Sequence, residues 1–588
     1  MILKSHWLGA AMAALLLLLP TKPDYDDLTA ALRATVAAHG ELASLESAGK
    51  TLEGRDIWVL TLGNRSAGVP LEERPALLMV ANLEGHHVVG SEIALGTIDW
   101  LLAEYGTNDA VTKALDSYTL HVFPRLNPDG AERRFGATNT SAYDDDNDGR
   151  TDEDGPEDLN GDGFISLMRV QEPGSPYMID PDDARIMKKA DPKKGEKGGW
   201  AVYWEGTDDD NDGFYNEDAA GGVDLNRNFQ HEYPYYQRGA GLHMVSERES
   251  RALLDFVVSH RHIAMVLTLS ESDNLIEPPN NKGELAAAKG IDLFAFADAS
   301  LEDASKVGIF TTSTPRFFGG GGGGQASNAG GRSGRRPATT VNSDDLPYFT
   351  AISKTYKELT GIETPPALRK PAGAFFEYGY YQFGVPSFST PGWGLDLPAD
   401  SSGAKPDAKA SFDRQLIDWM DAKGVDGFVE WTAFDHPSLG AVEIGGFKHF
   451  EAYNPPADVV AEQGPKHGAF VAHLMSLFPR VHIAETSVTD HGGGIFRITA
   501  EIENAGFLPT STAHGVTSRS VAPTMVQLGI DPDDILSGSA KTNFFPALDG
   551  SGNRQEYEWV VRGRRGQTLE LKVVAQKGGS DSASITLN

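Results

Sequence analysis

The chain has 588 residues, with 83 acidic against 51 basic side chains and a net charge of −32. Such an excess repels phosphate backbones, which excludes nucleic acid as a partner, and it favours solubility and cation binding. The lack of any cysteine also excludes disulfides, thiolate metal sites, cysteine catalysis and lipoprotein attachment.

At about 150 residues per domain, the length predicts two to four units. The N-terminus places one basic residue, Lys4, ahead of the apolar run Trp7–Leu19, which ends at Pro20. This reads as a secretory signal over residues 1–22, because a membrane span needs about 20 apolar residues. An uncleaved anchor is the alternative, since the small-x-small cleavage pattern is missing. The expected location is secreted or periplasmic, with no other membrane span.

From Tyr25 onward, strand-length apolar runs alternate with helical patterns. The strand runs are Ile57–Leu62, Ala76–Val80, Tyr118–Phe123 and Ile263–Leu269. The helices include Ser91–Ala103, with Ile93, Leu95, Ile98 and Leu101 on one face, and Ser246–His260, opened by a Ser246/Glu249 capping box. This alternation predicts an α/β domain over 24–479 whose site lies at the carboxyl ends of strands. A helix near Lys466–Phe478 stops at Pro479. Beyond it, Phe496, Ile498, Ala500 and Ile502 alternate with polar residues, as do Leu569, Leu571 and Val573, predicting an all-β sandwich over 480–588. The glycine run Gly319–Gly324 lies in a flexible insertion, about 317–337, with no Walker lysine after it.

An acidic insertion at about 140–220 repeats one spaced scheme three times. Calcium takes six to eight oxygens, and carboxylates at positions 1, 3 and 5 of a loop wrap around one ion while a glycine at position 6 makes the turn. The sets are Asp144/Asp146/Asp148, Asp158/Asn160/Asp162 and Asp208/Asp210/Asp212. The bidentate Glu at position 12 is missing, so these are EF-like loops, with Asp152, Asp154, Asn216 or Asp218 as closing ligands. Calcium is the expected ion, and its role is to fix the loops leading into Gly221–Phe229. A solvated acidic loop is the plainer alternative.

Three segments then resemble the zinc carboxypeptidase (funnelin) family, in the family's order: Thr51–Trp58, Asn127-Pro128-Asp129-Gly130 and Gly221–Phe229. The resemblance covers roughly 24–460 and implies a central mixed sheet of about eight strands flanked by helices. It implies that Asn226 and Arg227 bind a substrate's terminal carboxylate, a role that suits a planar guanidinium. The ligand is then a peptide or other carboxylate-bearing molecule.

The family holds zinc with His-x-x-Glu and a third His. Here the matching segment is Ala81–Glu92, with Gly85 and Gly90 setting the register, so the ligand positions are Glu84 and His87, in reversed order of type. The third position falls on Leu269 or Ser270, neither a useful zinc ligand, with Glu271 as a conceivable substitute. The general-base glutamate position is Pro391, which has no group to accept a proton. The family's substrate tyrosine maps near Arg369, and Glu377 and Tyr380 are similar to an Asp and a Tyr of the same region.

Two readings follow. One is a pseudoenzyme, a calcium-stabilised scaffold whose cleft still binds carboxylates through Arg227. The other is a working zinc metallocarboxypeptidase with a non-standard ligand set. An adhesive or carbohydrate-binding role for the C-terminal sandwich is a third reading, for which residues 481–588 offer no aromatic platform.

Overall fold

A computed structural model describes residues 23–134, 136–144, 149–210, 213, 215–216, 219, 221–280, 338–397 and 410–588. The predicted signal segment, the glycine-rich insertion, and Asp146, Asp148, Asp212 and Asp218 lie outside these residues.

The central sheet follows from the predicted apolar runs. Its strands are β1 (Ala43–Lys50), β2 (Asp56–Leu62), β3 (Ala76–Ala81), β4 (Thr119–Phe123), β9 (Ile263–Leu269) and β10 (Ser387–Thr390), in the order β1-β2-β4-β3-β9-β10. β4, β3, β9 and β10 run parallel, while β1 and β2 are antiparallel, so the sheet is mixed. Six strands are described here, against the expected eight or so. β3 and β9 are buried along their whole length, as unbroken apolar strands covered on both faces must be. The period of two sorts β3 cleanly. Leu77, Met79 and Ala81 join one core with helices Val89–Glu104, Leu346–Thr360 and Ala457–Ser476. Leu78 and Val80 join the other with helices Arg248–Ser259 and Phe375–Tyr381. Helices Val89–Glu104 and Ala457–Ser476 approach through Gly96 and Gly464, where a Cβ on Gly96 would lie 3.0 Å from the Gly464 Cα.

The predicted capping box is not formed. Glu247 is the N-cap of helix Arg248–Ser259 and makes no side-chain cap, because the Ser246 hydroxyl donates to the Glu247 carboxylate at 2.6 Å.

The stretch expected as acidic loops supplies most of a second sheet. β5 (Leu167–Gln171), β6 (Tyr177–Ile179), β7 (Met187–Lys189) and β8 (Trp200–Trp204) join β11 (Phe428–His436) and β12 (Gly440–Phe447) in the order β11-β12-β5-β8-β6-β7, all antiparallel. The acidic loops hang from this sheet through Glu205. Its buried carboxylate accepts from the Leu159, Asn160 and Ser166 amides and the Ser166 hydroxyl at 2.9–3.2 Å.

C-terminal to Pro479, two four-stranded sheets face each other. One runs β13 (Val481–Asp490), β14 (Ile495–Asn504), β18 (Asn553–Arg562), β16 (Ile535–Gly538). The other runs β17 (Thr542–Phe545), β15 (Thr524–Leu528), β19 (Thr568–Ala575), β20 (Gly579–Thr586). Phe496, Ile498, Trp559, Leu571 and Val573 form the core between them, on the alternating positions read from the sequence. This region grips the α/β part at several points, two of them built on buried charged side chains. Lys577, 3% exposed, donates to the Arg261 and Ile263 carbonyls at 2.8 and 2.7 Å and sits 4.0 Å above the Phe383 ring. Burial pushes its ammonium well below the usual lysine range. At the second point, Asp345 accepts from the Ala513 and His514 amides at 2.8 and 3.1 Å and from the Tyr380 hydroxyl at 2.7 Å.

Candidate functional site

The three motif segments meet at the carboxyl ends of β3, β4 and β9. Asn127 caps the short helix Pro128–Arg133, its side chain accepting from the Gly130 amide at 3.0 Å. This cap buries Asp129, which accepts from the Thr51 hydroxyl, the Glu53 amide and the Arg55 guanidinium at 2.8, 3.0 and 2.7 Å. The first motif is thereby pinned to the second. Gly85 and Gly130 pass so closely that a Cβ on Gly85 would lie 2.9 Å from the Thr138 carbonyl and 3.0 Å from the Gly130 backbone.

Beyond β3 the chain turns sharply at Asn82, which holds a left-handed φ of 56° and donates to the Glu84 and Gly85 carbonyls. The turn aims Glu84 into the fold. Its Oε1 accepts from the Asn226 amide at 2.8 Å and the Glu271 amide at 3.3 Å, while Oε2 is buried without a partner. Burial, with Glu271 and Asp224 close by, pushes the Glu84 carboxyl up. His87 is buried as well, with neither ring nitrogen in a hydrogen bond, and burial lowers it to about 4.

The ion the family uses would find too few ligands. A catalytic zinc takes three protein ligands. Leu269 is core, and the Ser270 hydroxyl is bonded to the Ser389 hydroxyl at 2.9 Å. Glu271, the conceivable substitute, has its carboxylate against His86 and Arg369. Among the described residues, Asp154, Asp208 and Asp210 form the one group of three acidic or histidine side chains whose ligand atoms lie within 4.8 Å of one another, and none belongs to this cleft. The orphaned atoms of Glu84 and His87 fit a cation; the ligand set does not fit zinc.

A guanidinium occupies the centre instead. Arg369 pairs through Nε with Glu271 and through Nη1 with Asp224, and its backbone amide donates to the Glu271 carbonyl at 2.8 Å. Against a large burial penalty, His86 and Arg369 hold the Glu271 carboxyl well below the usual range. Over His86 lie His449 and Tyr453, ring centroids 5.1 and 4.3 Å away, with Trp204 of the second sheet 5.2 Å beyond His449. Asn454 ties this cover down by donating to the His86 carbonyl and accepting from the Val89 amide. The acids and histidines beneath are nearly inaccessible. The Arg369 side chain, 36% exposed, reaches solvent.

The expected carboxylate-binding pair divides. Asn226 is 4% exposed and committed at both ends of its amide, to Glu84 and to the Phe375 amide. Arg227 is half-buried, with Nη2 on Gln237 at 3.1 Å and a buried Nε without a partner. Glu377 lies 3.6 Å from His231, and Tyr380 is bound to Asp345, so neither reaches the Glu84 cluster. Sequence reasoning passed over His86, Asp224, His449 and Tyr453. His86 stands between the two ligand positions and Asp224 inside the third motif, so both were within sight; the other two carry no local signal.

Of the acidic sets, Asp158 and Asp162 spend their carboxylates on their own loop. Asp158 accepts from the Gly161, Asp162 and Gly163 amides, and Asp162 from the Phe164 amide and the Asn160 side chain. Asp144 accepts from the Gly149 amide at 3.0 Å. Asp208 and Asp210 converge with Asp154 from the first loop, and the Asn216 amide donates to Asp154 at 2.8 Å.

The zinc carboxypeptidase family pattern matches residues 28–299, and a domain of unknown function (DUF8731) matches 480–586. The first of these regions is similar to the zinc carboxypeptidase family. Carboxypeptidase D of Drosophila melanogaster is 38% identical over 122 residues, 20% of this chain and 8% of that protein. Carboxypeptidase M of Mus musculus is 33% identical over 129 residues, 21% of this chain and 28% of that one. The chain thus spans under a third of either relative. Carboxypeptidase A from Helicoverpa armigera, a solved structure, matches 44% of this chain and 51% of its own at 16% identity and a TM-score of 0.26.

Proposed function

We propose that this is a secreted zinc-carboxypeptidase-family protein that has lost hydrolysis and keeps its cleft for binding a peptide or other carboxylate-bearing ligand through Arg227, with Asn226 beside it bracing Glu84. One observation carries the reading: Leu269 or Ser270 and Pro391 stand where a third ligand and a general base are needed, and among the described residues no three acids or histidines of the cleft bring their ligand atoms within 4.8 Å of one another. Loss of the base alone costs ~10²–10⁴ in rate. Purified protein is expected to hold far less than one equivalent of zinc and to leave N-blocked dipeptides intact with or without chelator. Stoichiometric zinc with chelator-sensitive release of a C-terminal residue would establish the opposite. That opposite reading, an active enzyme with an unusual ligand set, draws its support from the orphaned buried atoms of Glu84 and His87.

Calcium enters the proposal at Asp154, Asp208 and Asp210, where three carboxylates repel one another unless a cation joins them. The melting temperature is expected to rise with millimolar calcium and to fall with chelator. A melting temperature indifferent to both removes calcium from the reading.

A further inference from the structure

One guanidinium pairs with the buried carboxylate of Asp224, and the next arginine in the chain, three residues on, is Arg227. Arg369 pairs with Asp224 directly, and Arg227 belongs to the same turn as Asp224, its backbone amide donating to the Asp224 carbonyl at 2.9 Å. Each keeps donors to spare. Arg369 engages Asp224 through Nη1 and Glu271 through Nε, and the partly exposed side chain has its remaining nitrogen, Nη2, in neither pair. Arg227 spends Nη2 on Gln237 and has Nε buried without a partner. A guanidinium offers five N–H donors in a planar fork that matches a carboxylate edge, so it can hold a carboxylate without any ion. His86, Glu84, Glu271 and Asp224 are buried, and the rings of His449 and Tyr453 lie over His86.

We propose that the cleft is a metal-independent carboxylate site built on Arg227 and Arg369, with the Arg369 guanidinium supplying the positive charge that a zinc ion supplies in active relatives. The ligand class is a peptide with a free α-carboxylate. This deepens the binding reading above and rests on it. It adds two claims: that Arg369 touches the ligand, and that zinc contributes nothing to binding.

The test is calorimetric titration of the full chain with an N-acetylated dipeptide, in EDTA and again with added zinc, on the parent and on Arg369→Met, Arg369→Lys and Arg227→Met proteins. Circular dichroism and melting confirm folding of each. The parent is expected to bind equally in both buffers. Each methionine variant is expected to bind about 10- to 100-fold more weakly, the worth of charged hydrogen bonds. Arg369→Lys, which keeps the charge but loses the fork, is expected to fall in between. Binding that vanishes in EDTA and returns with zinc overturns metal independence. A folded Arg369→Met protein that binds like the parent overturns the role of Arg369, and if Arg227→Met is weakened in the same series the simpler Arg227 reading survives. Should Arg369→Met fail to fold, an Arg369→Lys protein with parental affinity is the overturning result. A parent that binds no dipeptide in either buffer sinks the carboxylate reading itself.

Discussion

An Asp129→Ala protein is expected to be about 3–4 kcal/mol less stable than its parent, a large part of a domain's ordinary 5–15 kcal/mol. The carboxylate is 1% exposed and joins the Thr51 hydroxyl, the Glu53 amide and the Arg55 guanidinium, three donors from a segment more than seventy residues away in the chain. Removing it strands the buried Thr51 hydroxyl, takes the Glu53 amide's partner away and leaves Arg55 facing Glu53 alone. The helix Pro128–Arg133 also loses the acid in its first turn. Urea unfolding of parent and variant measures the effect. A variant within 1 kcal/mol of the parent would show that the two motifs are merely adjacent, because a neutral loss of this size is not expected for a buried charged acceptor.

Lowering the pH from 6.5 towards 4 is expected to cost about 3 kcal/mol at His262 alone. Its ring nitrogen Nε2 lies 3.2 Å from Nε2 of His121, so one nitrogen donates and the other must offer a lone pair. His121 is further committed to the Thr61 hydroxyl at 2.9 Å. Protonating the acceptor removes that lone pair and sets two N–H groups against each other. Burial first, and then His260 and the Lys577 ammonium, lower His262 to about 4; burial, His262 and His260 hold His121 well below the usual histidine value. These folded values lie below the unfolded value of about 6.5, so the unfolded chain takes up protons more readily in that window. Stability is therefore complete above pH 6.5 and drains as the pH falls towards 4, at about 1.4 kcal/mol for each tenfold difference in proton affinity. Denaturant midpoints at pH 7.5 and 4.5 should fall less in a His262→Asn protein than in the parent. Equal losses in both would put the acid sensitivity elsewhere.

The central sheet was legible because its physics is local. β9 matches the predicted run Ile263–Leu269 residue for residue, since a strand buried on both faces is written as continuous apolar sequence. The sandwich strand Ile495–Asn504 was readable by its alternation. The second sheet was hidden, because β6 and β7 are three residues long and half-exposed, and their carboxylate-rich surroundings read as loop. The helix Ala457–Ser476 begins nine residues before the expected Lys466 because Pro465 sits inside it without ending it. At the site, the family resemblance named Glu84, His87 and Arg227, yet it was silent on which charges share a cavity. Arg369 meets Asp224 and Glu271 only through folding, from 145 residues away in the case of Asp224.

The seat of Lys577 has a practical consequence. It is a plug from the C-terminal region that satisfies carbonyls at the very start of β9, the strand whose far end delivers Ser270 and Glu271. Cutting the chain near Pro479 to obtain a minimal peptidase-like fragment would bare those carbonyls together with the Phe383 ring, and would strip Asp345 of two amide donors. The sandwich is thus a fastening for the sheet beneath it, and a shortened product that misbehaves would speak of a missing clasp before it spoke of a missing reaction.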